Sequence, residues 1–446
     1  MMKLRNIFSF CLLSALIFVS GCASPSGEFA SMLSEQARQT RMDRSRLNIG
    51  AYILDDYART EGHIKDIADC DVDFIVCLYI GEGKGAVLDT FAKHGLGADV
   101  TGVLSGWWGG DGSKAGKMAE INPMERYRQE AAAFQDHPAI WCVDLGDEPS
   151  ALDFPYYGQV ARFAQKAFPN QIPYLNLYPN YASVAANNAV QTVNQLGTAT
   201  YQEYIDEYCK YVGLDYICYD YYPYSAGYPR YFENQRIVAN ACRNTGRSLW
   251  IVLQVNSDKA DIFLSENQLR AQAFSSMAYG AENIIWACWT AGWWHNQVLD
   301  KQGNKTEQYD KLKKVNAEIR AFAGEYMRFR NTATHFVGFP KDHKALSKLQ
   351  DTTPVDALST GVFFDVKGSA PLLVGQMTPR KEGSGERALW IFAADDLLDE
   401  HNQEVTVSFR CPERTVWAIG AEFFPAGEDT YTLKLRSNGA AMLIAE

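Results

Sequence analysis

An alternation of short apolar runs with longer amphipathic segments is the feature of this sequence that most constrains its fold. Eight such runs occur between residues 47 and 289, at 47–54, 73–80, 97–104, 139–145, 172–178, 214–222, 249–255 and 283–289. Nearly continuous apolarity is typical of strands that are buried on both faces of a parallel sheet. The segments between the runs have helical periodicity, and one of them begins at the capping residue Ser265 and ends at Gly280.

Eight strand–helix units predict a (β/α)8 barrel, the TIM-barrel fold, over residues 47–330. A doubly wound open sheet is the alternative, but the GxGxxG sequence typical of a dinucleotide-binding sheet does not follow the first run. After residue 330 the apolar runs are short and are separated by Gly, Pro, Asp and Asn. This pattern predicts a C-terminal antiparallel β-sandwich over residues 331–446.

The N-terminus has the layout of an export signal. Lys3 and Arg5 precede the apolar run "IFSFCLLSALIFV", which is followed by "SGCAS". The ending Ser20-Gly21-Cys22 resembles a bacterial lipobox, which implies that residues 1–21 are a lipoprotein signal peptide and that Cys22 is lipidated. The following Ala23 resembles the outer-membrane type of signal, so we expect a lipid anchor in the outer membrane of a bacterial cell envelope. An ordinary secretory signal with a chance cysteine is the alternative. Residues 22–46 are then predicted to be a tether.

Charge and motifs exclude several classes of function. The chain has 53 Asp and Glu against 42 Lys and Arg, a net charge of −11. Nucleic-acid binding requires a basic face, so we predict no nucleic-acid partner. Neither HExxH nor CxxC occurs, and the sequence therefore predicts no metal site and no cofactor.

Four cysteines have a spacing that fits a barrel interior. Cys77, Cys142, Cys218 and Cys288 lie in the second, fourth, sixth and eighth runs. Alternate strands of a barrel contribute side chains to one interior layer, so these thiols are predicted to be buried packing residues. Coincidence is the alternative, because the chain has 10 cysteines.

Polar and aromatic residues follow the ends of the runs, where TIM-barrel enzymes have their active sites. Aromatic residues make up 13% of the chain, and flat rings suit the C–H faces of sugars. Loop Asp and Asn residues are commonly turn formers, but their joint placement at one end of eight strands favours a carbohydrate site. The predicted substrate-binding residues are Asp55, Trp107, Trp108, Asp147, Tyr178, Asn180, Tyr222, Gln254, Trp289, Trp293 and Trp294.

The segment "LGDEP" at the end of the fourth run resembles the signature of the clan A glycoside hydrolases, and it is most similar to family 42 β-galactosidases and agarase-related sequences. The resemblance covers roughly residues 47–330. It implies that Glu148 is the general acid/base and that Asp147 contacts the substrate beside the scissile bond. Tyr222 resembles the tyrosine that orients the second carboxylate in that clan.

The chain departs from that pattern at the seventh run, where Gln254 stands in place of the nucleophilic glutamate. Another carboxylate, a substrate group or a positioned water could take the role, or the protein could bind sugar without cleaving it. Asp220 is the best candidate carboxylate, because it lies two residues after Cys218 and faces the same side of the strand. We therefore predict a glycoside hydrolase with Glu148 and Asp220 as catalytic residues and with inversion as its stereochemical outcome. A non-catalytic, carbohydrate-binding surface lipoprotein is the main alternative, and a lyase or deacetylase barrel is another.

Overall fold

The computed structural model describes residues 40–446, apart from residues 82–83, 109–113, 184–193, 291, 350, 395–396 and 399–402. Its N-terminal part contains one sheet in which all the strands run parallel. The strands are β1 (Asn48–Tyr52), β2 (Phe74–Tyr79), β3 (Gly97–Thr101), β4 (Trp107–Trp108), β5 (Ile140–Asp147), β6 (Ile172–Asn176), β7 (Tyr216–Tyr221), β8 (Ser248–Gln254) and β9 (Ala281–Ala287). The eight predicted runs correspond to β1–β3 and β5–β9, and β4 is an additional strand of two residues.

The sheet curls into a barrel. Its strands pair in the order β4-β5-β3-β2-β1-β9-β8-β7, and β6 pairs with β5. Leu177, directly after β6, bridges to Tyr219 of β7 and donates its N–H to the Cys218 carbonyl at 2.9 Å. This bridge joins the two ends of the sheet. The predicted TIM barrel is therefore confirmed.

Helices follow the strands, as the periodicity of the sequence predicts. They are α1 (Glu61–Asp69), α2 (Lys84–Lys93), α3 (Met118–Ile121), α4 (Met124–Ala132), α5 (Phe154–Ala167), α6 (Tyr201–Tyr211), α7 (Pro223–Ala226), α8 (Tyr228–Thr245), α9 (Glu266–Ala278) and α10 (Glu307–Tyr326). The Ser265 side chain caps α9 by accepting a hydrogen bond from the Gln268 N–H. In return, the side-chain oxygen of Gln268 accepts a hydrogen bond from the Ser265 N–H. This reciprocal pair satisfies N–H groups that the first turn of a helix leaves unpaired.

The C-terminal part forms the predicted β-sandwich from two antiparallel sheets. Five strands pair in the order β10 (Phe329–Val337), β12 (Leu372–Pro379), β13 (Arg387–Ala393), β18 (Ala440–Ala445) and β15 (Val416–Ile419). Four others pair in the order β11 (Phe364–Gly368), β14 (Val405–Arg410), β17 (Thr430–Leu435) and β16 (Glu422–Pro425). The boundary predicted between residues 330 and 331 falls inside β10.

The sandwich also packs against the barrel. The Trp390 indole on β13 donates a hydrogen bond to the Phe274 carbonyl on α9 at 2.9 Å, and its ring lies 4.7 Å from that of Phe322 on α10. The apolar core of the barrel thus continues into one face of the five-stranded sheet.

The predicted signal peptide, Cys22 and most of the predicted tether lie outside the described residues. The last residues of that tether are held against the barrel, because Arg41 forms a salt bridge with Asp136 and Met42 is buried. Within the described part of the chain, no helix has the length and apolarity needed to cross a membrane.

Candidate active site

The end of β5 carries the acidic residues of the "LGDEP" segment, and a β-bulge determines where they point. The pairing of β5 with β6 slips between Asp144 and Gly146. In a regular strand, residues 144 and 147 would face opposite sides, and one extra residue brings both to the same side. Gly146 has φ +131°, and a Cβ there would lie 2.1 Å from the Trp107 carbonyl oxygen on β4. Only glycine allows β4 to approach so closely.

Glu148 follows the bulge in a backbone conformation that L-amino acids seldom adopt. Its φ is +47°, so the strand does not stay extended through Glu148. The Glu148 N–H donates to the Asn176 carbonyl at 2.9 Å, which holds the turn beside the end of β6. Strained residues of this kind occur often at functional sites.

Asn176, the last residue of β6, joins two of the carboxylates. Its Nδ2 lies 2.9 Å from Asp147 Oδ1 and 2.9 Å from Asp220 Oδ1, and it donates a hydrogen bond to each. The Tyr181 hydroxyl donates to the other oxygen of Asp220 at 3.4 Å. The structure thus brings the acids at the ends of β5 and β7 together. Sequence reasoning missed Asn176, although an amide inside the apolar run "IPYLNLY" was a detectable signal.

Burial raises the pKa of all three carboxyl groups. It raises the pKa of Asp147 to about 6, and burial together with the Asp147 charge raises the pKa of Asp220 to about 7. Burial first, and then the Asp220 and Asp147 carboxylates, hold the pKa of Glu148 well above its usual range, against a hydrogen bond from Trp108. None of the three forms a salt bridge within the described residues. The site therefore has carboxylic acid groups that keep protons near neutral pH.

Aromatic side chains stand around these acids. The Tyr222 ring lies 6.1 Å from that of Trp293 and 5.1 Å from that of Trp294, and Trp293 also contacts Tyr52 at 6.1 Å. Trp108 is 66% exposed and Trp294 is 37% exposed. An exposed indole beside partly buried acids can stack on a sugar ring while a glycosidic bond reaches the carboxyl groups.

Other predicted substrate-binding residues have different surroundings. Gln254 is fully buried, and its amide accepts from the Tyr224 N–H and donates to Ser225 Oγ. It therefore fastens the short helix α7 to the end of β8. Trp107, Tyr178 and Trp289 are also buried.

The remaining predicted residues, Asn180 and Asp55, form hydrogen bonds with other parts of the barrel. Asn180 donates from its side chain to the Arg230 carbonyl and to Glu233, both on α8. The backbone N–H of Asp55 donates to Thr290 Oγ1 at 3.0 Å.

Comparisons with known proteins identify no family. No family model and no curated protein matches the chain. Solved structures that resemble it include a glycoside hydrolase family 5 mannosidase from Rhizomucor miehei, with 12% identity, a TM-score of 0.43 and coverage of 60% of this chain and 92% of that chain. A family 51 α-L-arabinofuranosidase from Bifidobacterium longum has 7% identity and a TM-score of 0.44, with coverage of 90% and 96%. Xylanase 10B from Thermotoga petrophila has 12% identity and a TM-score of 0.37, with coverage of 64% and 97%. Similarity at this level does not determine function.

Proposed function

We propose that the protein is a glycoside hydrolase that cleaves O-glycosidic bonds of an oligo- or polysaccharide. The observation that carries the proposal is the cluster of Asp147, Glu148 and Asp220 at the C-terminal end of the barrel, which combines raised pKa values with exposed indole rings nearby. Glycosidases need one carboxylic acid that is protonated and a second that is ionised, on either side of the bond.

Glu148 is the proposed general acid. Because burial and two neighbouring carboxylates keep it protonated, it can donate its proton to the glycosidic oxygen, which leaves as an alcohol. Asp220 is the proposed base: it takes a proton from a water molecule as the water oxygen bonds to the anomeric carbon. The proton on Asp220 then passes through solvent to Glu148, which restores both groups.

Asp147 and Asp220 titrate as a coupled pair, because both lie against the same Asn176 nitrogen and the charge of Asp147 raises the pKa of Asp220. Ionising one member opposes ionisation of the other, so near neutral pH the pair can carry a single negative charge. That charge serves either to activate water or to stabilise the positive charge that develops on the sugar ring.

Carbohydrate binding without cleavage is the second candidate function, and Gln254 favours it. The amide occupies the position of the expected nucleophile and is engaged by Tyr224 and Ser225. In this case the indoles of Trp108 and Trp294 would bind sugar, and the acids would only form hydrogen bonds.

A panel of polysaccharides separates the two candidates. The purified protein is incubated with each glycan, and both released reducing ends and retention on the insoluble glycan are measured. The hydrolase proposal predicts new reducing ends with at least one glycan. The binding function would be supported if the protein is retained on a glycan without releasing reducing ends, and if Trp108→Ala abolishes that retention.

We further propose that the protein is anchored in the outer membrane through lipidated Cys22, with the barrel facing the periplasm or the exterior. The support for this is the sequence of residues 1–23. A lipid anchor would hold the enzyme where extracellular glycans enter the cell envelope.

A further inference from the structure

A second group of acidic and thiol side chains lies deeper in the barrel than the proposed catalytic residues. The Cys77 thiol and one carboxylate oxygen each of Asp99 and Asp144 all lie within 4.8 Å of one another. These residues come from the neighbouring strands β2, β3 and β5. Asp99 and Asp144 are both buried, and Asp144 is three residues before Asp147.

Two irregularities of the backbone create this group. Cys77 has φ +56°, and the pairing of β2 with β3 slips between Ile75 and Leu78. The Cys77 N–H then donates to Asp99 Oδ2 at 3.3 Å. On β5, the Gly146 N–H donates to Asp144 Oδ1 at 2.7 Å, at the bulge described above. The backbone therefore orients one oxygen of each carboxylate.

The second oxygen of Asp99 has no protein partner. Asp99 is 0% exposed, and among the described residues no hydrogen-bond donor reaches its Oδ1. Neither Asp99 nor Asp144 takes part in any salt bridge formed by the described residues. Two buried carboxylates side by side cannot both remain ionised without compensation, so they need either a bound cation or a shared proton.

We propose that Cys77, Asp99 and Asp144 bind a zinc ion. A thiolate ligand is poorly suited to Mg²⁺ or Ca²⁺, whereas Zn²⁺ binds both cysteine sulfur and aspartate oxygen. Three protein ligands with a fourth, open position form a common zinc arrangement. Tetrahedral ligand atoms at zinc distances of about 2.0–2.3 Å lie roughly 3.3–3.5 Å apart. The three atoms, now within 4.8 Å of one another, would therefore approach by up to about 1.5 Å when zinc binds.

Zinc binding adds positive charge to the site and releases protons from its ligands. Zinc displaces the thiol proton of Cys77 and any proton held between the two carboxyl groups, and these protons pass to solvent. The ion would fix the β5 bulge that presents Asp147. This inference does not depend on the proposed hydrolase function, because it concerns only the contents of the barrel interior.

Metal analysis and cobalt substitution test the inference on the intact protein. We expect one zinc per chain by plasma mass spectrometry after dialysis against a weak chelator, and a higher melting temperature with zinc than with a strong chelator. Co²⁺ exchanged into the site should give a sulfur-to-cobalt charge-transfer band. Cys77→Ser should abolish the band and lower the zinc content at least tenfold. Cys70→Ser, at a buried thiol outside the group, should leave both unchanged.

A shared proton is the outcome that would overturn the inference. In that case the wild type has no stoichiometric zinc, no cobalt band and no zinc-dependent shift in melting temperature. These measurements use only the wild-type protein, so they do not depend on whether a variant folds. Zinc retained in Cys77→Ser would also contradict it, since the ion would then bind elsewhere. Asp99→Asn further distinguishes zinc binding from a shared proton. If zinc binds, this variant should lose the zinc-dependent shift in melting temperature. If a proton is shared, the variant should be as stable as the wild type at acidic pH.

Discussion

Replacing Asp220 with asparagine should make the folded protein more stable at alkaline pH while removing its activity. The side chain of asparagine has the shape of aspartate, and its oxygen can still accept the hydrogen bond from Asn176. What the variant loses is a negative charge that is buried beside Asp147.

The size of the effect follows from the pKa. The structure raises the pKa of Asp220 from 3.8 to about 7. The folded protein therefore binds this proton more tightly than the unfolded chain, and stability falls as the pH rises through the interval between these values. At about 1.4 kcal/mol for each pKa unit, ionised Asp220 lowers the free energy of unfolding by on the order of 4 kcal/mol above pH 7.

Urea unfolding at about pH 4 and about pH 8 measures this contribution. Asp220→Asn and wild type should differ little at about pH 4, and the variant should be more stable by up to about 4 kcal/mol at about pH 8. Asp258→Asn, at an exposed position, should follow the wild type at both pH values. If Asp220→Asn has the same pH dependence as the wild type, Asp220 is not a buried acid of raised pKa, and the reasoning fails.

Asn176→Ala should move the acidic limb of the pH–rate profile to higher pH, because the Asn176 amide lowers the pKa values of both Asp147 and Asp220; a merely structural role would lower the rate without moving the limb. Cys22→Ser should release the protein from outer-membrane fractions, because the acyl chains supply the anchoring free energy; a variant that stays with the membrane would exclude the lipobox. NMR of the first-formed product should show the inverted anomer, as expected when a carboxylate separation of about 6.5–9.5 Å leaves room for water; retention would point to a covalent intermediate.

The sequence was most informative where a structural rule repeats along the chain. Each of the eight runs corresponds to a barrel strand, because burial on both faces requires continuous apolarity. The strand β4 was missed, since two residues carry no periodicity. It nevertheless places Trp108, opposite Asp147 in the strand register, at the edge of the site.

The arrangement of the site depends on local irregularities that hydrophobic patterns do not encode. Alternation along a strand predicts that Asp144 and Asp147 face opposite sides, and the β5 bulge reverses this. The positive φ of Glu148 likewise ends the extended path that would have aligned it with Cys142. Gln254 was recognised as a departure from the family pattern, but its contacts with Tyr224 and Ser225 depend on the short helix α7 that follows β7.

Cleavage by Glu148 is the central claim of this account, and turnover by Glu148→Gln tests it most directly. On a glycan that the wild type cleaves, the variant should release reducing ends more slowly by about 100- to 10,000-fold, because glutamine cannot donate the proton that the leaving oxygen needs. The loss should be smaller on aryl glycosides whose phenol leaves without a proton. Glu120→Gln, at an exposed position on α3, should keep the wild-type rate. A Glu148→Gln variant that cleaves the natural glycan at nearly the wild-type rate would contradict the claim.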